Sequence, residues 1–228
     1  MKRKLALIHT VSWYDKSVLE PFGREFAEAN PDVEMVNIMD DSLLSESIPN
    51  GGPTPAVIRR IVLYAMAAEA AGADVIMCSC TTMGVATQLA RCFICVPLFN
   101  IDEPMAAQAV AAGERIGILA TVPTSAPATR ALLAAQAERA GKKIAMETVI
   151  NERAFQHLLA GEIAAHDAIV RQEIDRLADR VDVIALGQIS LSKISHTARV
   201  PILQVGRSGF AEARRLLDQA RPAPLSGA

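Results

Sequence analysis

Ala73-Asp74-Val75-Ile76-Met77-Cys78-Ser79-Cys80-Thr81-Thr82-Met83-Gly84 decides how this chain folds. The run Val75–Cys78 is apolar without alternation, which suits a parallel strand covered on both faces. A polar loop follows, then a helical stretch, Val85–Arg91. Further along, Asp182-Val183-Ile184-Ala185-Leu186-Gly187-Gln188-Ile189-Ser190 repeats the pattern. Two more pairs occur in the same order. Leu5-Ala6-Leu7-Ile8-His9-Thr10-Val11 is matched by Ile116-Gly117-Ile118-Leu119-Ala120-Thr121-Val122, and Val96-Pro97-Leu98-Phe99 by Val200-Pro201-Ile202-Leu203. The three offsets agree within about ten residues, which loop variation absorbs. Ordered pairs of this kind indicate an internal duplication.

Working outward, the sequence predicts strands at Leu5–Ile8, Val33–Ile38, Val75–Cys78, Val96–Phe99, Arg115–Leu119, Ile144–Val149, Val183–Leu186 and Ile202–Val205. Helical stretches alternate with them. Pro55–Ala71 begins with Thr54 as N-cap and Pro55 at the first helical position. Ala126–Ala140 stops at Gly141, and Asp167–Asp179 carries apolar residues at helical spacing. The expected fold is α/β: two similar parallel-sheet, flavodoxin-like lobes with a cleft between them. Residues 1–104, with 206–228 returning as a C-terminal helix, form one lobe, and 105–205 the other. The tail from Pro222 onward reads as disordered. Ligands of parallel sheets sit at the carboxyl ends of the strands. The loops His9–Trp13, Cys78–Met83, Thr121–Ser125 and Gly187–Ser190 therefore converge on one site.

Bulk composition narrows the function classes. The chain has 228 residues, a net charge of −2 and few aromatic side chains, which argues against a nucleic-acid surface. The apolar stretch Ala65–Ala73 is broken by Glu69 and Gly72, so no membrane span is expected. The apolar run after Lys4 is too short for a secretion signal, and a cytoplasmic location is the expectation. All four cysteines, Cys78, Cys80, Cys92 and Cys95, fall in one window. Cys92-Phe93-Ile94-Cys95 has metal-like spacing, but no second cysteine pair exists, so structural thiols are expected and no metal.

Chemistry concentrates after the third strand. Cys80 stands near a helix N-terminus, where the dipole and unpaired N–H groups favour thiolate. The hydroxyls of Thr81 and Thr82, with neighbouring N–H groups, suit a carboxylate. A carboxylate held beside a thiolate is an arrangement for moving a proton on the adjacent carbon. Asp40 and Asp41 read as exposed capping acids, Asn50-Gly51-Gly52-Pro53 as a turn and candidate lid, and Arg207-Ser208-Gly209 as the entry to the last helix. Trp13 and Tyr14 read either as an apolar wall of the site or as lobe packing.

Asp74-Val75-Ile76-Met77-Cys78-Ser79-Cys80-Thr81-Thr82 resembles the first catalytic segment of the Asp/Glu racemase superfamily. Ile8-His9-Thr10, Met39–Leu44 and Ala120-Thr121-Val122-Pro123-Thr124 are similar to its less characterised branches. The resemblance covers nearly the whole chain. It implies a cofactor-independent enzyme of racemase or isomerase type acting on a small carboxylate or amino-acid-like substrate, with a homo-oligomer as an option. It makes Cys80 the catalytic thiol, in preference to Cys78. Thr81, Thr82, Thr121 and Thr124 become the substrate cradle, with His9, Thr10 and Ser12 facing the same cleft. For His9, proton carriage and plain hydrogen bonding both stand open.

The second lobe departs from the pattern. Superfamily racemases carry a second cysteine where this chain has Gln188, followed by Ile189, and no cysteine follows Cys95. A carboxamide neither takes nor gives a proton at useful pH. Gln188 then either donates to an oxyanion or satisfies loop backbone. Ser190 stands near where some members have a histidine, and His196 reaches the cleft only if its loop folds back. One thiol also suits a decarboxylase or a cis–trans isomerase of the same superfamily. A non-catalytic carboxylate-binding protein is the contrasting class.

Overall fold

A computed structural model describes residues 2–220; the tail beyond, including the segment from Pro222, lies outside the described residues. Strands β1 (Arg3–His9), β2 (Val33–Met39), β3 (Val75–Cys78) and β4 (Leu98–Asn100) form one parallel sheet in the order β2-β1-β3-β4. Strands β5 (Arg115–Ala120), β6 (Ala145–Ile150), β7 (Val183–Leu186) and β8 (Ile202–Gln204) form a second in the order β6-β5-β7-β8. All eight predicted strands exist, and the identical orders make the duplication structural. Helices α1 (Arg24–Ala29), α2 (Ser42–Ser47), α3 (Pro55–Ala70), α4 (Gly84–Ala90) and α5 (Glu103–Ala112) accompany the first half. Helices α6 (Ser125–Arg139), α7 (Glu152–Leu159), α8 (Ile163–Ala178) and α9 (Arg207–Gln219) accompany the second. Among the described residues no helix is long and apolar enough to cross a membrane.

The central strands β1, β3, β5 and β7 are buried on both faces, which explains their unalternating apolar sequence. Register is what positions the site. Ile8 pairs with Cys78 in one sheet and Leu119 with Leu186 in the other. Thr10 and Cys80 therefore leave the first sheet side by side, as Thr121 and Gln188 leave the second. The α3 cap is as read: Thr54 accepts from the Val57 N–H at 3.3 Å.

Three expectations need correction. The fourth strand starts at Leu98 rather than Val96, because the Cys95 and Val96 N–H groups donate to the Glu69 carboxylate at 2.6 and 3.1 Å. Those donors are spent on a side chain and cannot enter a ladder. Cys92 and Cys95, expected as structural thiols, are exposed in a short helical turn and the loop after it and do not pack in a core. Asp40 is not solvent-exposed: its carboxylate accepts from the Ser42 N–H at 3.0 Å, Arg60 at 3.0 Å and Tyr64 at 2.8 Å, tying α2 to α3.

Helix α9 packs on the first sheet, with Gly209 against Ile101 and Met77. At its entry turn the Ser208 hydroxyl donates to the Gln204 carbonyl at 3.1 Å. Gly206, at φ +65°, holds a conformation L-residues avoid, and a Cβ there would lie 2.6 Å from the Phe22 ring. Gly206→Ala is expected to lower stability by about 2 kcal/mol or more, combining left-handed strain with overpacking. Equilibrium urea unfolding checks this; an unchanged midpoint refutes it.

Candidate active site

The carboxyl ends of both sheets open onto one cleft of about 420 Å³, its open mouth included. It is lined by Thr10, Val11, Trp13, Leu44, Ser79, Cys80, Thr81, Thr82, Val122, Ser125, Phe155, Gln188, Ile189 and Ser190. Six of the sequence candidates meet there: Cys80, Thr10, Thr81, Thr82, Gln188 and Ile189. Trp13 forms part of the apolar wall. No Asp, Glu, Lys, Arg or His side chain is among these lining residues.

Cys80 keeps part of its surface in the cleft, whereas Cys78 is fully buried. Burial pushes the Cys78 thiol up to about 12. Burial also raises the Cys80 thiol, against the opposing pull of the Thr10 hydroxyl and the backbone N–H groups of Thr82 and Met83. This corrects the expectation of a resting thiolate. The helix-start donors are present, but enclosing the sulfur outweighs them, so the group rests as a neutral thiol at neutral pH. Alkylation by iodoacetamide follows the thiolate. Its rate at Cys80 is expected to climb with pH through a midpoint above the ordinary thiol range; a midpoint below it contradicts this reading. Thr10→Ala, which removes a thiolate-stabilising donor, moves that midpoint further up.

Other predicted residues take different places. His9 is fully buried and does not line the cleft. Its Nδ1 pairs with the Ser79 hydroxyl at 2.9 Å, its Nε2 with Asn37 Oδ1 at 2.9 Å, and Tyr14 stacks on its ring at 4.2 Å. Because Asn37 Oδ1 only accepts, Nε2 is assigned the proton, and Nδ1 then shares the single Ser79 hydroxyl proton with the Ile8 carbonyl, which lies 3.2 Å from the hydroxyl oxygen. Burial lowers its pKa to about 4, so the ring is neutral and bridges β1 to β2 and the Cys80 loop. Ser12 is exposed and lies outside the cleft lining. His196 is bound to Asp175 at 2.7 Å and is likewise outside it.

The threonines join the lobes. The Thr81 hydroxyl donates to the Gly187 carbonyl at 2.5 Å, and the Thr82 and Thr124 hydroxyls pair at 2.9 Å. Thr121 and Thr124 are buried outside the cleft lining. Thr81 spends its one proton on Gly187, while in the Thr82–Thr124 pair only one hydroxyl donates and the other keeps its proton, so these threonines latch the lobes while Thr81 and Thr82 also line the cleft. Gln188 is committed as well. Its Oε1 accepts from the Thr121 and Val122 N–H groups at 2.5 and 3.1 Å, and its Nε2 donates to Thr121 Oγ1 at 3.2 Å. Of the two readings of Gln188, the backbone-satisfying one describes this arrangement.

Sequence reasoning missed Leu44 and Phe155 as cleft residues, whereas Val122, Ser125 and Ser190 lie in loops it expected to converge there without being singled out. Leu44 and Phe155 come from α2 and α7, where an apolar residue at helical spacing looks the same whether it faces a core or a cleft. Ser125 opens α6, a position whose polar character was readable. Among the described residues no cluster of three or more His, Cys, Asp or Glu side chains could hold a metal.

Two duplicated parallel-sheet lobes with a thiol loop at their shared cleft define a two-lobed α/β enzyme class. The chain matches the Asp/Glu/Hydantoin racemase family over residues 22–213 and belongs to it. It is a racemase-type isomerase whose substrate the family does not specify. Solved structures agree in fold. Allantoin racemase from Klebsiella pneumoniae is 16% identical with a TM-score of 0.69, covering 99% of this chain and 92% of that one. Aspartate racemase from Picrophilus torridus is 16% identical with a TM-score of 0.63, covering 96% and 94%. Glutamate racemase from Bacillus anthracis is 16% identical with a TM-score of 0.65, covering 95% and 82%. A search of curated proteins finds none that matches.

Proposed function

We propose that the protein moves a proton, through Cys80 and without a cofactor, at the carbon next to a carboxylate or carboxylate-like group. The observation that carries this reading is that Cys80 is, among the described residues, the one ionisable side chain lining the cleft. Cys80 first loses its own proton to solvent through the open mouth of the cleft; the minor thiolate fraction then takes the substrate proton, and Thr10 with the Thr82 and Met83 N–H groups stabilises the anion while it exists. The opposite wall is Gln188, which cannot carry a proton. The proton therefore leaves and returns on one face, and interconversion of enantiomers needs the intermediate to turn within the site.

The wall also bears on the substrate. Val11, Trp13, Leu44, Val122, Phe155 and Ile189 are apolar, and no cationic side chain stands ready for a second carboxylate. A small substrate with one acidic group and an apolar or aromatic flank fits better than a dicarboxylate. The α6 start, with the Ser125 hydroxyl, supplies neutral donors and the positive dipole end for that group. A second reading has its own support. A resting neutral thiol is suited to handing a proton to a carbanion left by loss of CO₂, which makes a decarboxylase the alternative.

The test is NMR in D₂O with amino acids, hydantoins, maleate and arylmalonates, using wild type and Cys80→Ala. The reading expects Cys80-dependent deuterium exchange faster than interconversion, and Gln188→Cys to narrow that gap. Equal rates of exchange and interconversion in wild type refute one-sided transfer. Release of CO₂ from an arylmalonate selects the decarboxylase, and silence throughout favours a binding protein.

A further inference from the structure

A second pocket, of about 640 Å³ with its mouth included, lies between α4 and the β4–α5 turn on one side and α6 on the other. Thr81 is the one residue its lining shares with the cleft. Four charged side chains line it: Arg91, Asp102, Glu103 and Arg139. Arg91 and Glu103 satisfy each other; Arg91 Nε also donates to the Leu98 carbonyl at 2.7 Å, and Glu103 accepts from the Asn100 N–H at 2.9 Å. Asp102 and Arg139 remain. Asp102 is 1% exposed and accepts from the Asn100 side-chain amide at 2.7 Å, with no ion pair among the described residues. Arg139 is exposed and, among the described residues, also makes no ion pair.

A buried carboxyl without a cation is costly, and the cost falls when a positive partner arrives. Burial pushes Asp102 up to about 7, the neighbouring Glu103 charge adds to this, and the Asn100 amide and the nearby Thr81 hydroxyl oppose it only in part. The pocket is open space against that carboxyl. Its buried carboxyl and its unpaired guanidinium stand at opposite ends. Thr82 bonds to Thr124, the residue before α6, so the Thr81 and Asp102 end of the pocket lies by the start of that helix. Arg139 is its last residue. From Ala128 to Arg139 the helix rises roughly 16 Å at about 1.5 Å per residue. Between them the α6 face is mainly apolar, with Ala128, Ala131, Leu132 and Ala135 faced by Val85, and Gln88 and Gln136 add two uncharged amides.

We propose that this pocket binds an elongated aliphatic zwitterion, an ω-amino carboxylate whose ammonium pairs with Asp102 and whose carboxylate meets Arg139. The methylene chain lies along the alanine face, and the long Arg139 stem takes up the rest of the span. An α-amino acid carries its two charges too close together to reach both ends. The site is independent of the reaction proposed for the cleft.

Isothermal titration calorimetry of the full chain with 6-aminohexanoate, its isomer 2-aminohexanoate and hexylamine tests this. The first ligand is expected to bind about tenfold or more tightly than the other two, the loss expected for one charged contact. Asp102→Asn and Arg139→Ala each weaken it by a similar factor, whereas Cys80→Ala leaves it unchanged. Arg139 is a surface residue, so its variant decides the matter should Asp102→Asn fail to fold. Absence of binding, equal binding of the two isomers, or loss of binding in Cys80→Ala overturns the proposal.

Discussion

Replacement of Cys80 by alanine is expected to lower α-proton exchange by about 10²–10⁴-fold, the usual contribution of a positioned acid–base group. Among the described residues no other ionisable side chain lines the cleft to substitute for it. The substitution removes one sulfur from a partly open position, so the fold should survive, and thermal unfolding provides that check. Cys78→Ser is the informative companion. Cys78 lies at the end of β3, fully buried, with its thiol held neutral. A hydroxyl there is expected to reduce stability and leave the exchange rate per folded molecule nearly unchanged. If Cys78→Ser silences the exchange and Cys80→Ala does not, the thiol has been assigned to the wrong residue.

Gln188→Leu is expected to cost roughly 2–5 kcal/mol of stability. The side chain keeps its approximate size, but the Thr121 and Val122 N–H groups lose their acceptor. An orphaned buried donor costs about 1–3 kcal/mol. For a chain of this length each kcal/mol lowers the melting temperature by about 2–4 °C. The shift should be roughly 4 °C or more and is readable by calorimetry. A shift below about 1 °C would mean that water replaces the carboxamide, which requires the loop to be more open than its buried donors indicate.

Gln188 also shows how far sequence alone carries. Aligning the two halves identified it as the counterpart of Cys80, and strand register confirms that both residues follow equivalent positions of β3 and β7. Its role was undecided between an oxyanion donor and a loop tie, because residue identity says which bonds a carboxamide can make and not which it does make. The same holds for Thr81, Thr82 and Thr124. Their hydroxyls read as substrate contacts, yet they join the lobes. The partners Gly187 and Thr124 are distant in sequence, so no local pattern announces the bonds.

What the sequence determined by itself was local and periodic. Runs such as Leu5–Ile8 and Val183–Leu186 specify buried parallel strands because every second side chain is not polar. Thr54-Pro55 starts a helix because a hydroxyl caps it and proline needs no partner there. The repetition of these signals announced two like sheets, and the loops at their carboxyl ends announced the cleft. Tertiary structure alone decided which loop atoms face solvent and which face each other. It buried His9 and neutralised it, withdrew Ser12 from the cleft, and enclosed the Cys80 sulfur enough to raise its pKa despite helix-start donors. It also left Asp102 buried without a cation. These outcomes depend on desolvation and on long-range pairing, both of which exist only after the lobes have packed.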